Sequence, residues 1–166
     1  HVTLQDVVTF TGSAETGKML KQSPSILNNS VRFNMEADSL NCSILGPDAM
    51  PGTAEFDLFV KEVVREMTVK AGQKCTAIRR IIVPENLTED IIKAVASRLG
   101  TTKVGDPSVE GVRMGPLAGK DQVKEVHTRV EELLGCCELV SGNLDNYELT
   151  GDRKSTRLNQ SHHDLV

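Results

Sequence analysis

The sequence predicts an α/β fold, and three observations carry that prediction. Short apolar runs of strand length alternate with longer segments whose apolar residues recur three and four positions apart. The short runs, Val7-Val8-Thr9-Phe10 and Arg80-Ile81-Ile82-Val83 among them, are rich in β-branched and aromatic residues. A glycine-serine step at Gly12-Ser13 stands between the first such run and the first helical one, as in a strand-turn-helix unit.

Taken in order, Asp6 to Thr11 reads as a strand and the segment near Ala14 to Gln22 as a helix. Strands follow over Val31 to Asn34 and Cys42 to Leu45, then a loop holding Pro47, Pro51 and Gly52. Phe56, Phe59, Val60, Val63, Val64 and Met67 share one helical face, which predicts a helix from Glu55 to Val69 ending before Gly72. Arg80 to Pro84 is a further strand. Thr88 is placed to cap a helix carrying Ile91, Ile92, Val95, Ala96 and Leu99. Gly105-Asp106-Pro107 and the stretch Gly111 to Gly119 form loops before a last helix, Lys120 to Leu134, and a last strand, Glu138 to Ser141. No internal repeat is visible.

Composition narrows the function classes. A formal net charge of -4, one Tyr, four Phe and no Trp give neither the basic surface nor the stacking rings of a nucleic-acid binder. No signal peptide, transit peptide or spanning apolar run is present, so the expected partner set excludes membranes and the expected compartment is the cytoplasm. Four cysteines without a regular framework, two of them adjacent at Cys136-Cys137, read as reduced thiols. No histidine stands at metal-ligand spacing from them, so no metal site is expected. The chain opens on His1 with a strand close behind, and from Gly151 to Val166 it loses apolar periodicity, so it is expected to be part of a longer protein with a polar, non-native tail.

Three elements carry chemistry. Gly12-Ser13-Ala14-Glu15-Thr16-Gly17-Lys18-Met19 lies between strand and helix, where backbone N–H groups and the helix dipole favour an anion. It departs from a phosphate-gripping P-loop at Met19, which occupies the place of the magnesium-binding hydroxyl. Glu36 follows a strand, at the sheet edge where ligands bind in α/β folds, with Asp38 as a rival carboxylate. Cys75, in Gly72-Gln73-Lys74-Cys75, follows a helix end and precedes Arg79 and Arg80, whose charge favours a thiolate where geometry brings them close. Cys42, inside an apolar strand, is the thiol expected to be buried.

With these residues in hand, the stretch from residue 1 to about 150 resembles the aldehyde dehydrogenase superfamily. Phe10 to Gly17 is similar to its cofactor turn, Met35-Glu36 to its general-base position, and Gly72 to Cys75 to its nucleophile motif. Ala37-Asp38-Ser39-Leu40-Asn41 stands where most members carry a Gly-Gly-Lys segment. That replacement, with Val63 to Arg80, resembles the branch that oxidises CoA-linked semialdehydes in aerobic aromatic degradation. Within it, the dehydrogenase half of bifunctional phenylacetate ring-opening enzymes is the first reading, and the benzoate-pathway semialdehyde dehydrogenases are the second.

The resemblance implies a fragment of the aldehyde dehydrogenase fold: residues 1–70 from the cofactor-binding domain, 71–150 from the catalytic domain, and 151–166 outside both. It implies Cys75 as nucleophile, Glu36 as general base, and Gly12, Ser13 and Gly17 beside the pyrophosphate of NADP, with NAD possible. It also implies a CoA-linked aldehyde substrate, a homo-oligomer and a fused hydratase-like domain. The family's oxyanion asparagine and a ribose-binding glutamate would fall outside this sequence, so the isolated chain is expected to be inactive. A non-catalytic nucleotide-binding module built on the Gly12 to Gly17 turn is the alternative of another class.

Overall fold

The computed structural model describes residues 1–142, and the tail expected over 151–166 lies outside the described residues. The chain divides into two compact units between Ser39 and Leu40.

In the first unit, strand β1 (Val7–Gly12) leads through Ser13 into helix α1 (Ala14–Lys21) and a single turn, α2 (Pro24–Leu27), before strand β2 (Arg32–Ala37). The two strands pair in parallel, with Phe10 opposite Met35 and Thr11 opposite Glu36. Helix α1 lies close over the Phe10–Met35 face because Gly17, its buried residue, has no side chain; a Cβ there would overlap the Met35 sulfur. Gly17 thus lies within the helix expected near Ala14 to Gln22. Strand β2 runs three residues beyond the expected Asn34, because the ladder with β1 continues to Ala37 although the residues added include the polar Glu36.

The second unit contains β3 (Cys42–Ile44), α3 (Ala54–Thr68), β4 (Arg80–Ile82), α4 (Thr88–Gly100) and α5 (Lys120–Leu134). Strands β3 and β4 pair in parallel. Thr53 caps α3 by accepting the Phe56 N–H at 3.3 Å, and Glu55 and Asp57 complement the dipole of its first turn. Phe56, Val60, Val63 and Val64 of α3 meet Ile91, Val95 and Leu99 of α4 in one core, closed by Leu45, Ala49 and Leu87. Burying each such side chain contributes about 1.5–3 kcal/mol. This core holds α3 within the second unit, which begins at Leu40.

Three further expectations change. Cys42 is exposed, because β3 is only three residues long and alternation turns Cys42 and Ile44 outward with Ser43 between them. Thr88 opens α4 as a helical residue behind Leu87 instead of capping it, its hydroxyl donating to the Pro84 carbonyl at 3.5 Å. Residues 138–141 form no strand; Val140 packs against the core without entering a ladder.

Candidate active site

The first unit gathers Gly12, Ser13, Gly17, Glu36 and Asp38 around the carboxyl ends of β1 and β2. Ser13 caps α1: its Oγ accepts the Thr16 N–H at 3.2 Å and donates to Thr16 Oγ1 at 2.9 Å. The Gly17 N–H closes the first helical turn on the Ser13 carbonyl at 2.9 Å. Asp38 lies just past β2 with φ 56, and its N–H extends the ladder to the Gly12 carbonyl at 3.2 Å. Its carboxylate accepts the Ala14 N–H at 3.1 Å. Of the first-turn donors of α1, the Glu15 N–H and the Thr16 hydroxyl proton remain without an acceptor among the described residues. Gly12 leaves room for the Phe10 ring, which a Cβ there would meet at 2.6 Å.

Glu36 and Asp38, rivals in the sequence, are separated by this geometry. Asp38 is committed to the helix N-terminus. Glu36 is exposed on the face of β2 opposite Met35, next to Thr11 of β1, and makes no ion pair among the described residues.

Cys75 belongs to the second unit and is exposed. Helix α3 ends at Thr68, and the chain then turns through Lys70, Ala71 and Gly72, all with φ between 52 and 70. Non-glycine residues in that region cost of order 1–3 kcal/mol each and persist only where surrounding bonds hold them. Such bonds are present on both sides of Cys75. Gln73 donates through Nε2 to the Lys70 carbonyl at 2.9 Å and to the Pro116 carbonyl at 3.4 Å, and accepts the Ala118 N–H at 2.8 Å. Lys74 Nζ pairs with Glu66 Oε2 at 2.6 Å. The Ala77 N–H donates to the Lys74 carbonyl at 3.2 Å, and Asn41 Nδ2 donates to the carbonyl of Cys75 itself. Arg79 and Arg80 both direct a guanidinium nitrogen to a backbone carbonyl, of Gly72 and Leu40 respectively. The Cys75 N–H has no acceptor among the described residues.

The Lys74–Glu66 pair is half-shielded, with side-chain exposures of 19% and 23%. The hydrogen bond from Lys74 holds the Glu66 carboxyl below its ordinary value of 4.5. A carboxylate depressed on folding contributes stability that is fully present above its unfolded value and is lost as pH falls through the folded one. Lys74→Met should therefore lower the melting temperature at neutral pH, and the gap from the parent chain should close as pH drops below about 4.5. A gap independent of pH would show that the pair contributes nothing.

Asn41, Glu66, Pro116 and Ala118 were not visible in the sequence. Their contacts join positions from eight to more than forty apart with no motif spacing. Among the described residues no group of three or more His, Cys, Asp or Glu is placed to hold a metal, and no helix is long and apolar enough to cross a membrane.

Comparison with known proteins accords with this geometry. The model of the aldehyde dehydrogenase family matches residues 3–152. The chain is 53% identical over 148 residues to a 3,4-dehydroadipyl-CoA semialdehyde dehydrogenase of Aromatoleum evansii, a match spanning 89% of this chain and 29% of that protein. A mutant of aldehyde dehydrogenase C of Pseudomonas syringae, solved with NAD+ and octanal, superposes with a TM-score of 0.78 at 26% identity, over 93% of this chain and 30% of the other. Betaine aldehyde dehydrogenase of Staphylococcus aureus, solved with NAD+, gives 0.73 at 26% identity, over 85% and 27%. The chain thus spans about three-tenths of the length of these relatives.

Proposed function

The chain belongs to the aldehyde dehydrogenase family, and on that premise we propose that its full-length enzyme oxidises a CoA-linked semialdehyde to the acid through a covalent adduct on Cys75. The observation that carries the proposal is an exposed thiol on a turn whose flanking residues are all pinned.

The Cys75 thiolate attacks the aldehyde carbon and forms a thiohemiacetal, whose oxygen gains negative charge. In a trans peptide the Cys75 N–H points opposite to the Lys74 carbonyl. That carbonyl is turned inward onto the Ala77 N–H, so the Cys75 N–H faces away from the turn and is available to the oxyanion. The nicotinamide cofactor, when bound, accepts the hydride that leaves this adduct. A thioester on Cys75 remains, and Glu36 removes a proton from the water that hydrolyses it.

In this reading residues 1–70 serve the cofactor and 71–150 the thiol chemistry. The first turn of α1 fits a phosphate-bearing cofactor through the Glu15 N–H and the Thr16 hydroxyl. Ser13 holds that turn, Gly12 leaves room for the Phe10 ring, and Gly17 lets the helix lie on the sheet. NADP is the cofactor the resemblance favours, and the NAD+ complexes of the solved relatives support NAD as the alternative. Between the two aromatic-degradation readings, the relative at 53% identity moves the substrate toward the shorter dehydroadipyl-CoA semialdehyde and away from the dehydrosuberyl compound of phenylacetate breakdown. A cytoplasmic homo-oligomer is part of the same proposal; a fused hydratase domain belongs to the phenylacetate alternative.

The test is reduction of NADP+ or NAD+ by the full-length enzyme with CoA-linked semialdehydes of both lengths, against octanal and betaine aldehyde as controls. Turnover that needs the CoA ester and disappears in Cys75→Ala is expected. Equal turnover of the free aldehydes would remove the substrate assignment, and turnover surviving in Cys75→Ala would remove the mechanism.

A further inference from the structure

We propose that Asn41 is a positioning residue for the nucleophile, holding the backbone of Cys75 so that its thiol and its N–H address the same substrate carbon and oxygen. The inference rests on the reading of Cys75 as nucleophile and adds a residue that lies 34 positions away, in the segment where this chain departs from the Gly-Gly-Lys pattern of most relatives.

Asn41 is anchored before its side chain does anything. Its carbonyl accepts the N–H groups of Arg79 and Arg80 at 2.9 and 3.2 Å, and the Arg80 guanidinium returns to the Leu40 carbonyl at 2.8 Å. The start of β3 is thereby fixed to the start of β4, and the side chain is left to reach the turn between them. Its amide nitrogen meets two carbonyl oxygens, those of Cys75 and Ala77. Two acceptors require two donors, so the amide orientation is chemically forced, and both of its protons are spent on this turn.

The consequence falls on the two peptides that flank the Cys75 Cα. The preceding one is held by the Ala77 N–H on the Lys74 carbonyl, and the following one by Asn41 on the Cys75 carbonyl. With both planes fixed, the direction of the Cα–Cβ bond is fixed as well, and only the side-chain torsion of the thiol remains free. Asn41 and Cys75 are both exposed, so the bond is not a by-product of core packing. A displacement of about 1 Å at a reacting atom costs on the order of a hundredfold in rate.

The experiment compares Asn41→Ala, Asn41→Ser and Asn41→Asp with the parent full-length enzyme across pH. Alanine removes both donors and should lower kcat about ten- to a hundredfold with the cofactor KM unchanged. Serine retains one donor and should fall between. Aspartate sets an acceptor against two carbonyls and should be the slowest at neutral pH, but its ratio to the parent should rise as pH falls and its carboxyl gains a proton to donate. A purely structural lesion would leave that ratio flat. The rate of Cys75 alkylation by iodoacetamide, in a background with Cys42, Cys136 and Cys137 changed to Ser, gives a second reading without turnover. Its pH profile should shift in all three variants. If all three match the parent in turnover and alkylation while Cys75→Ala is dead, the positioning role is wrong. If Cys75→Ala itself turns over, the nucleophile reading fails instead.

Discussion

A full-length enzyme carrying Glu36→Gln should release one equivalent of reduced nicotinamide per site in a rapid burst and then turn over about 10²–10⁴-fold more slowly than the parent. The split follows from where Glu36 is placed. It stands exposed on the polar face of β2, opposite Thr11, with no cation holding its carboxylate among the described residues. Such a group is free to accept a proton from water. In the proposed mechanism, attack on the aldehyde belongs to Cys75 and hydrolysis of the thioester to Glu36. Cys75→Ala should show neither burst nor turnover, which separates the two roles in one stopped-flow measurement. Asp38→Asn should keep both phases, because the asparagine carbonyl still accepts the Ala14 N–H that Asp38 now holds. A steady-state rate in Glu36→Gln equal to that of the parent would assign the base elsewhere.

The parts of this chain legible in its sequence are those written in short-range pattern. Helix α5 was read to its observed ends, Lys120–Leu134, from periodicity alone, and α3 to within a residue at either end. The strand-turn-helix step at Ser13 was equally visible, because an N-cap serine has a local reason to be there. Where pattern and pairing disagreed, pairing won. The apolar pattern ends the strand at Asn34, before the polar Glu36, yet the parallel ladder with β1 carries β2 on to Ala37. The apolar run at Cys42 suggested burial, yet a strand of three residues can bury only one side of its alternation. Gly17 falls inside the helix expected from Ala14 to Gln22, and what the pattern did not show is that Met35 and Phe10 leave no room there for a side chain. Cys75 and Glu36, the proposed nucleophile and base, stand out as motifs. The hydrogen bonds around Cys75 do not, since Asn41, Glu66 and Ala118 reach its turn from segments with no periodic relation to it.

Leu99→Ala should destabilise the second unit by about 2–5 kcal/mol, measured by urea unfolding of the parent and variant chains. Leu99 is 2% exposed and sits in the core that joins α4 to α3, with Val63 and Val95 both at 0%. Loss of three buried carbon atoms removes their transfer free energy and leaves a cavity that rigid helices on either side fill only in part. Leu58→Ala is the control within the same helix pair: Leu58 lies on α3 but is 56% exposed, and its truncation should change stability by no more than about 0.5 kcal/mol. The effect bears on the site, because α3 leads through the single extended residue Val69 into the left-handed turn at Lys70 and Ala71 that precedes Cys75. Strain in that turn is tolerated only while α3 is held in place, so the Leu99 variant should also alkylate faster at Cys75, at urea concentrations too low to unfold the parent. A loss of stability below about 1 kcal/mol, equal to that of the control, would mean that the α3–α4 core does not support the unit that carries the thiol.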